Sequence, residues 1–250
     1  MKNKLKIFVI SLIESTDRQN YIKNQLNNLN ISYEIFNAVD GRKLSQNDKD
    51  ELYNKDKAIK YTGNELTPGE IGCSLSHKAV YKKMIEEDIE RAVILEDDII
   101  LRPDFNTIVP YFDNISLKGY VIKLERAYGS NKSEDNIKTT KFTLWHKKNI
   151  NNDYFIGQPL FSPYLTWGYY IDKIAAKALY KSMPKVYLTA DKWVYHRKYI
   201  KLRMLNKPII TDNYELFNSI IGENNNKTVM KNNIFLKFKL LFKYILLIFN

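Results

Sequence analysis

Three consecutive carboxylates, Glu96, Asp97 and Asp98, close a short apolar run, Val93-Ile94-Leu95, with no turn residue between them. An unbroken run of this length predicts a strand buried on both faces, as in a parallel sheet. Continued as one strand to Leu101, it would send Glu96 and Asp98 to one face and Asp97 to the other. Carboxylates gathered at a buried strand end repel one another and lose hydration, a cost that a cation among them offsets. Their hard oxygens suit Mg²⁺ or Mn²⁺, and such an ion can in turn hold a diphosphate. On these residues alone, an acidic strand end open to water is the alternative.

The preceding chain supplies the elements that would position such a site. Leu5 to Leu12 is apolar at nearly every position and predicts a buried central strand. Ser15, Thr16 and Asp17 offer helix caps, and Tyr21, Ile22, Leu26 and Leu29 recur at helical spacing. Ile31, Tyr33 and Ile35 alternate as a second strand that Asp40-Gly41 ends with a turn signal. In such a βαβ unit, the loop after the first strand, here Ser11 and Leu12, points backbone N–H groups and a helix N-terminus at a phosphate or nucleotide. Arg18, in the first helical turn, reaches such an anion or stands as a solvated helix arginine. Asp40 accepts hydrogen bonds from a ribose or base, or serves the turn alone.

Glu65 to His77, ELTPGEIGCSLSH, is the second informative stretch. Pro68 and Gly69 predict a turn, Gly72 permits close backbone approach, and a helix is expected from Cys73 or Ser74 to about Glu87. Its packing face is Leu75, Ala79, Val80 and Met84. His77, near Tyr81 and Met84, reads by itself as a hydrogen-bonded core histidine. Further on, Asp104 follows Pro103 at a helix start, and Tyr120 to Leu124 predicts a strand. Ser130 to Lys141 is polar and aperiodic, as expected of a loop.

Composition narrows the partners. The chain has 250 residues, 44% of them apolar, which suits one large α/β domain or a domain with a small appendage. A single cysteine, Cys73, excludes an intramolecular disulfide and agrees with a reducing compartment. The N-terminal lysines and apolar run resemble a leader, but no small-residue cleavage site precedes Glu14 and Asp17, so a first strand is expected. A net charge of +11 fits an anionic small substrate or an anionic membrane surface. No helix-turn-helix, RNP or zinc-finger pattern occurs, so nucleic acid is not expected as a partner.

Taken together, FVISLIESTDR, AVDG at 38–41, LTPGEIGCSLSH and AVILEDDIIL resemble glycosyltransferase family 25. These are the bacterial lipooligosaccharide galactosyltransferases, related to the animal collagen galactosyltransferases. With TWGYYIDKIAAKAL at 166–179 the resemblance extends over roughly residues 5 to 222. It implies a GT-A-like α/β fold in which Glu96-Asp97-Asp98 is a DXD-like motif binding Mn²⁺ or Mg²⁺ and the diphosphate of a UDP-sugar. The donor-side residues are then Ser11, Leu12, Arg18, Asp40, Gly41, His77, Glu96 and Asp97. Asp98 and Glu96 hold the metal, and Asp97 meets the ribose. Asp191, in YLTADKWVYHRKY, resembles the acidic residue that this family places after its WG block, and is the candidate base. His196 and Asp212 are possible further metal ligands; where the family often has glutamine near 212, this chain has aspartate. The implied reaction moves galactose from UDP-galactose to a terminal lipooligosaccharide sugar in β-1,4 linkage, which the residues themselves do not determine.

Aromatic residues are dense from Tyr154 to Tyr170. A sugar's C–H face packs well on an aromatic ring. Trp167, Gly168 and Tyr169 are therefore the expected acceptor contacts, Gly168 because it admits a ligand close to the backbone. Asp172 is expected to cap a helix carrying Ile174, Ala175, Ala178 and Leu179.

The expected organisation is a glycosyltransferase domain over 1–222, with a donor side to about 125 and an acceptor side from about 150, then a basic apolar tail over 223–250. Within the tail, Lys231, Lys237, Lys239 and Lys243 stand among Ile, Leu, Phe and Tyr. Its longest apolar run, Tyr244 to Phe249, is far below the roughly twenty residues that span a bilayer. A helix lying in the headgroup region of the cytoplasmic face of the bacterial inner membrane is expected instead. A nucleotidyltransferase and a non-catalytic carbohydrate-binding protein are the alternatives from other classes.

Overall fold

The computed structural model describes residues 4–125, 142–143, 146–160, 162–213 and 216. The polar stretch Ser130–Lys141, Phe161 and the tail from 223 onward lie outside the described residues.

The N-terminal apolar run is the strand β1 (Lys6–Ser11), followed by α1 (Thr16–Asn28) and β2 (Glu34–Asn37). The order continues α2 (Gln46–Leu52), α3 (Lys55–Thr62), α4 (Pro68–Glu86), β3 (Arg91–Glu96) and β4 (Ile99–Leu101). Two single-turn helices, α5 (Phe105–Ile108) and α6 (Tyr111–Asn114), lead to β5 (Tyr120–Lys123). Then come β6 (Lys148–Asn149), β7 (Phe155–Gly157), β8 (Gly168–Asp172), α7 (Lys173–Ser182), α8 (Trp193–His196), β9 (Lys201–Leu205) and β10 (Ile210–Asp212).

Eight strands form one mixed sheet in the order β2-β1-β3-β8-β5-β9-β7-β6. β2, β1 and β3 run parallel, β8 runs opposite to both its neighbours, and β5 and β9 are parallel. The α/β class and the βαβ unit are as the sequence predicts. So is double-faced burial of β3: Val93 and Leu95 join the core under α1, α5 and α6, while Ala92 and Ile94 join the core under α4 and α7. Alternation along one strand places these pairs on opposite faces. β8, from the later part of the chain, lies between β3 and β5 at the centre of the sheet.

α4 starts at Pro68, five residues before the expected Cys73. Thr67 Oγ1 accepts from Glu70 N, and the Glu70 carboxylate accepts from Thr67 N. Proline at the first helical position loses no hydrogen bond there. This early start is what brings Gly72, Cys73 and Ser76 against the loop after β2. A Cβ on Gly72 would stand 2.5 Å from Val39 O and 2.6 Å from Gly41 N, so only glycine allows the contact. Ser76 Oγ accepts from Val39 N at 2.8 Å.

The expected single strand from Arg91 to Leu101 is two. β3 leaves the large sheet after Glu96, the chain bends at Asp97-Asp98, and β4 pairs with β10 in a separate two-stranded sheet. Aspartate favours turns over ladder positions, and both side chains reach Arg18 on α1. α7 is capped by Asp172 Oδ1, which accepts from Ala175 N, as expected. Ala175 and Leu179 on this helix are buried, and Ile174 is exposed.

Candidate active site

The acidic corner sits at the mouth of the βαβ unit. Ser11 Oγ donates to Asp97 Oδ2 at 2.5 Å, and Arg18 Nη1 lies 3.3 Å from Asp97 Oδ1 and 2.9 Å from Asp98 Oδ2. Arg18 is thus a buried partner of the motif, and the solvated helix arginine is not what forms. Because of the bend, Glu96 and Asp98 do not share a face as strand alternation predicts. Glu96 turns to the other side, where its Oε1 accepts from Thr166 Oγ1 and stands 3.5 Å from His77 Nε2. Asp98 instead joins Asp97 at Arg18.

The electrostatics follow this split. Burial raises the Glu96 pKa, but the His77 hydrogen bond and charge, with the Thr166 hydroxyl, outweigh it and hold the carboxyl below its usual value. Burial and then the neighbouring Glu96 charge push Asp98 up to about 7, against the pull of Arg18. Asp97 is raised by burial despite Ser11 and Arg18. The Asp98 Oδ1 atom is buried with no hydrogen-bond partner. This corner therefore carries more negative charge than its protein partners balance, and a divalent cation fits it.

These residues line a cleft with about 710 Å³ of empty space, bounded also by Leu12, Ser15, Asp40, Gly41, Cys73 and His77. Ser15 makes no side-chain cap on α1, unlike the caps of α2, α3, α4 and α7. Ser15 and Arg18 bring this end of α1 to the cleft, and a helix N-terminus without a side-chain cap suits an anion. Asp40 reaches the cleft, but Arg42 Nε and Nη2 each donate to its carboxylate at 2.8 Å, and this bidentate contact lowers its pKa. A ribose hydroxyl would share that carboxylate with Arg42.

Of the residues expected after position 150, the three aimed at an acceptor, Trp167, Gly168 and Tyr169, are buried. Tyr169 is fully buried, its hydroxyl 2.7 Å from His77 Nδ1 and 2.8 Å from Tyr81 OH. Trp167 belongs to the hydrophobic core. A Cβ on Gly168 would stand 2.3 Å from Ile210 Cδ1, so this glycine makes room for core packing. Gly168 and Tyr169 belong to β8, every residue of which is buried between β3 and β5 in the sheet. Asp212 lies opposite Ile99 across the β4–β10 pair, and Asn213 N donates to Asp98 O at 3.2 Å, so β10 does adjoin the acidic corner. His196 is buried against Trp193, and burial drives its pKa down to about 4. It does not line the cleft.

Asp191 is held in a turn: Thr189 Oγ1 donates to its Oδ1 at 2.5 Å, and Trp193 N donates to its carbonyl at 2.8 Å. Its charge acts on both Cys73 and Lys123, as does that of Glu96. The Asp191 loop therefore stands within electrostatic reach of the cleft floor. Sequence reasoning missed Lys123, fully buried and paired with Glu125, with its ammonium 4.8 Å from the Trp193 ring centre. The signal was present: Lys and Glu two apart in the apolar strand VIKLE face the same way.

The corner and the uncapped end of α1 thus share one cleft at the ends of β1 and β3. Residues 4–194 match the family described as "Glycosyltransferase family 25 (LPS biosynthesis protein)", and the chain belongs to that family. It is 37% identical over 102 residues to "Glycosyltransferase 25 family member" of Aedes aegypti, covering 40% of this chain and 17% of that protein. It is 36% identical over 97 residues to "Procollagen galactosyltransferase 1-A" of Xenopus laevis, covering 38% and 16%. It is 32% identical over 103 residues to "Inactive glycosyltransferase 25 family member 3" of Mus musculus, covering 40% and 17%. The matches thus span under a fifth of the length of these relatives. Among solved structures, a glycosyltransferase involved in glycosylation of the major capsid of PBCV-1 aligns with a TM-score of 0.36 at 11% identity, over 72% of this chain and 65% of that one.

Proposed function

We propose that this chain is an inverting, metal-dependent glycosyltransferase of GT-A type that moves galactose from UDP-galactose to a terminal sugar of lipooligosaccharide. The carrying observation is that, in a family 25 chain, the Glu96-Asp97-Asp98 bend and the uncapped start of α1 face one cleft. The α1 N–H groups and Arg18 would receive the diphosphate. Ser11 fixes Asp97, leaving it to orient the nucleoside ribose. Asp98, with its unpartnered Oδ1, would hold Mn²⁺ or Mg²⁺, Asp212 being the nearest further candidate on β10. A bound ion of this kind supplies positive charge to a leaving diphosphate. Asp191 would take the acceptor hydroxyl proton as that oxygen attacks C1 of the donor sugar and the bond to the diphosphate breaks.

The reading also includes the tail over 223–250 as a peripheral anchor on an anionic membrane surface of the cytoplasmic face. Among the described residues, no helix is long and apolar enough to cross a membrane. Deleting 231–250 is expected to abolish co-sedimentation with anionic vesicles; undiminished co-sedimentation overturns the anchor.

The reaction is tested by a panel of UDP-sugars with Mn²⁺, followed by UDP release, with and without lactose- or glucose-terminated acceptors. Acceptor-stimulated release from UDP-galactose above the other donors is expected. Release of pyrophosphate from a nucleoside triphosphate and a sugar phosphate would instead make it a nucleotidyltransferase. Donor binding without any release would make it a non-catalytic carbohydrate-binding protein.

A further inference from the structure

On the floor of the cleft, away from Arg18, three side chains of different chemistry converge: Cys73 and His77 from α4 and Glu96 from the end of β3. One ligating atom from each lies within 4.8 Å of the other two. We propose that this trio binds a second divalent ion of the soft, zinc-like class, separate from the hard ion at Asp98. This goes beyond the sugar-transfer reading and does not depend on it.

The donor set fits such an ion. Thiolate, imidazole and carboxylate together suit zinc, whereas oxygen-only sets suit magnesium and manganese. Cys73 and His77 are four apart on a helix, which puts both on one face. His77 is oriented as metal-bound histidines are. Its Nδ1 is tied to the Tyr169 hydroxyl at 2.7 Å, and that hydroxyl is itself held by Tyr81, so Nε2 is the nitrogen presented to Glu96. Thr166 steadies the Glu96 carboxylate in the same manner. Ligand bonds of about 2.0–2.3 Å place tetrahedral donors roughly 3.5 Å apart, so shifts of about an ångström close the set.

The surrounding charge points the same way. Burial, and then the charges of Glu96 and Asp191, push the Cys73 thiol up, which keeps it protonated without a cation beside it. The same negative field favours a divalent ion, and a coordinating ion inverts the preference and takes the thiolate. Three protein ligands leave a fourth position open to the cleft that all three residues line. In this arrangement Glu96 serves the soft site, and the hard site is left to Asp98 and its neighbours.

Because Cys73 is the only cysteine in the chain, cobalt reports on it without ambiguity. Full-length protein stripped with a chelator and titrated with Co²⁺ is expected to develop a near-ultraviolet thiolate-to-cobalt charge-transfer band that saturates at one equivalent. Zn²⁺ should bleach it. Cys73→Ser should abolish the band, His77→Gln should weaken Co²⁺ binding by more than about tenfold, and Asp98→Asn should keep both band and affinity. A second measurement needs no variant: Zn²⁺ should slow alkylation of Cys73 by iodoacetamide in the wild-type chain. The proposal is overturned by absence of the band at saturating Co²⁺, or by alkylation that Zn²⁺ leaves unchanged. It is equally overturned by unaltered affinity in His77→Gln, or by loss of the band in Asp98→Asn, which would mean one shared ion.

Discussion

Arg18 Nη1 stands 2.9 Å from Asp98 Oδ2, so the residue proposed to hold a divalent ion already faces a protein cation. The pair is mostly buried, and Asp97 shares the same nitrogen. Removing one side of a buried pair leaves the other charge uncompensated, at about 3–5 kcal/mol. Arg18→Met is therefore expected to lose about 3 kcal/mol of unfolding free energy in chelator, and to be stabilised by Mn²⁺ more than the wild type is. Urea titrations with and without Mn²⁺ measure both effects. Equal stabilisation of the two proteins would count against a metal at this corner.

Gly72→Ala tests the lock between α4 and the loop after β2. Its Cβ would meet Val39 O and Gly41 N, both backbone atoms that yield only if the loop moves. The 38–41 loop lines the cleft, so donor affinity should fall by about tenfold or more, equivalent to about 1.4 kcal/mol or more, while helix content is kept. Calorimetric titration with UDP checks it, and an unchanged affinity would detach this loop from donor binding.

Tyr169→Phe separates a core role from an acceptor role. Losing the hydroxyl leaves His77 Nδ1 and Tyr81 OH without their partner, at a cost of about 1–3 kcal/mol. Thermal unfolding should register that loss, while the acceptor KM stays near the wild-type value. A raised acceptor KM with unchanged stability would restore Tyr169 to the acceptor site.

His196 gives a pH signature. Burial, with the Lys198 charge, lowers its folded pKa to about 4 from an ordinary value of 6.5. Between these values the unfolded chain binds the extra proton, so the contribution is full above 6.5 and is lost as pH falls toward 4. The loss is on the order of 3 kcal/mol. His196→Leu should flatten the stability profile over that window in urea titrations; an unaltered slope would place the acid sensitivity elsewhere.

Much of this arrangement was legible in the chain. β1, β3 and β5 are apolar runs with few competing readings, and the helical spacing of Ile22 and Leu26 marks the buried face of α1, although the expected cap at its start does not form. Glu96, Asp97 and Asp98 stood out by residue type as a carboxylate cluster, but type alone left a strand end open to water as the alternative, and the structure places them at one corner of the cleft. What failed has a common cause: local pattern does not report which strand lies beside which. Aromatic density around Tyr169 reads alike whether β8 borders a cleft or lies between β3 and β5, and only the sheet order decides that it is core. The single strand through Asp98 failed because alternation assumes a continuing ladder, and β3 leaves the large sheet after Glu96. The start of α4 was readable and was overlooked, since Thr67 and Glu70 form a capping box around Pro68.

The most direct test of a divalent ion and a sugar diphosphate meeting at Asp98 is calorimetric titration of UDP into the chain. It is done with and without Mn²⁺, at a pH above the value of about 7 to which Asp98 is pushed. Wild-type protein should bind UDP tightly only with Mn²⁺, and Asp98→Asn should lose that Mn²⁺ dependence while keeping its fold. Equal UDP affinity with and without the ion in the wild type, or undiminished Mn²⁺-dependent binding by Asp98→Asn, would contradict it.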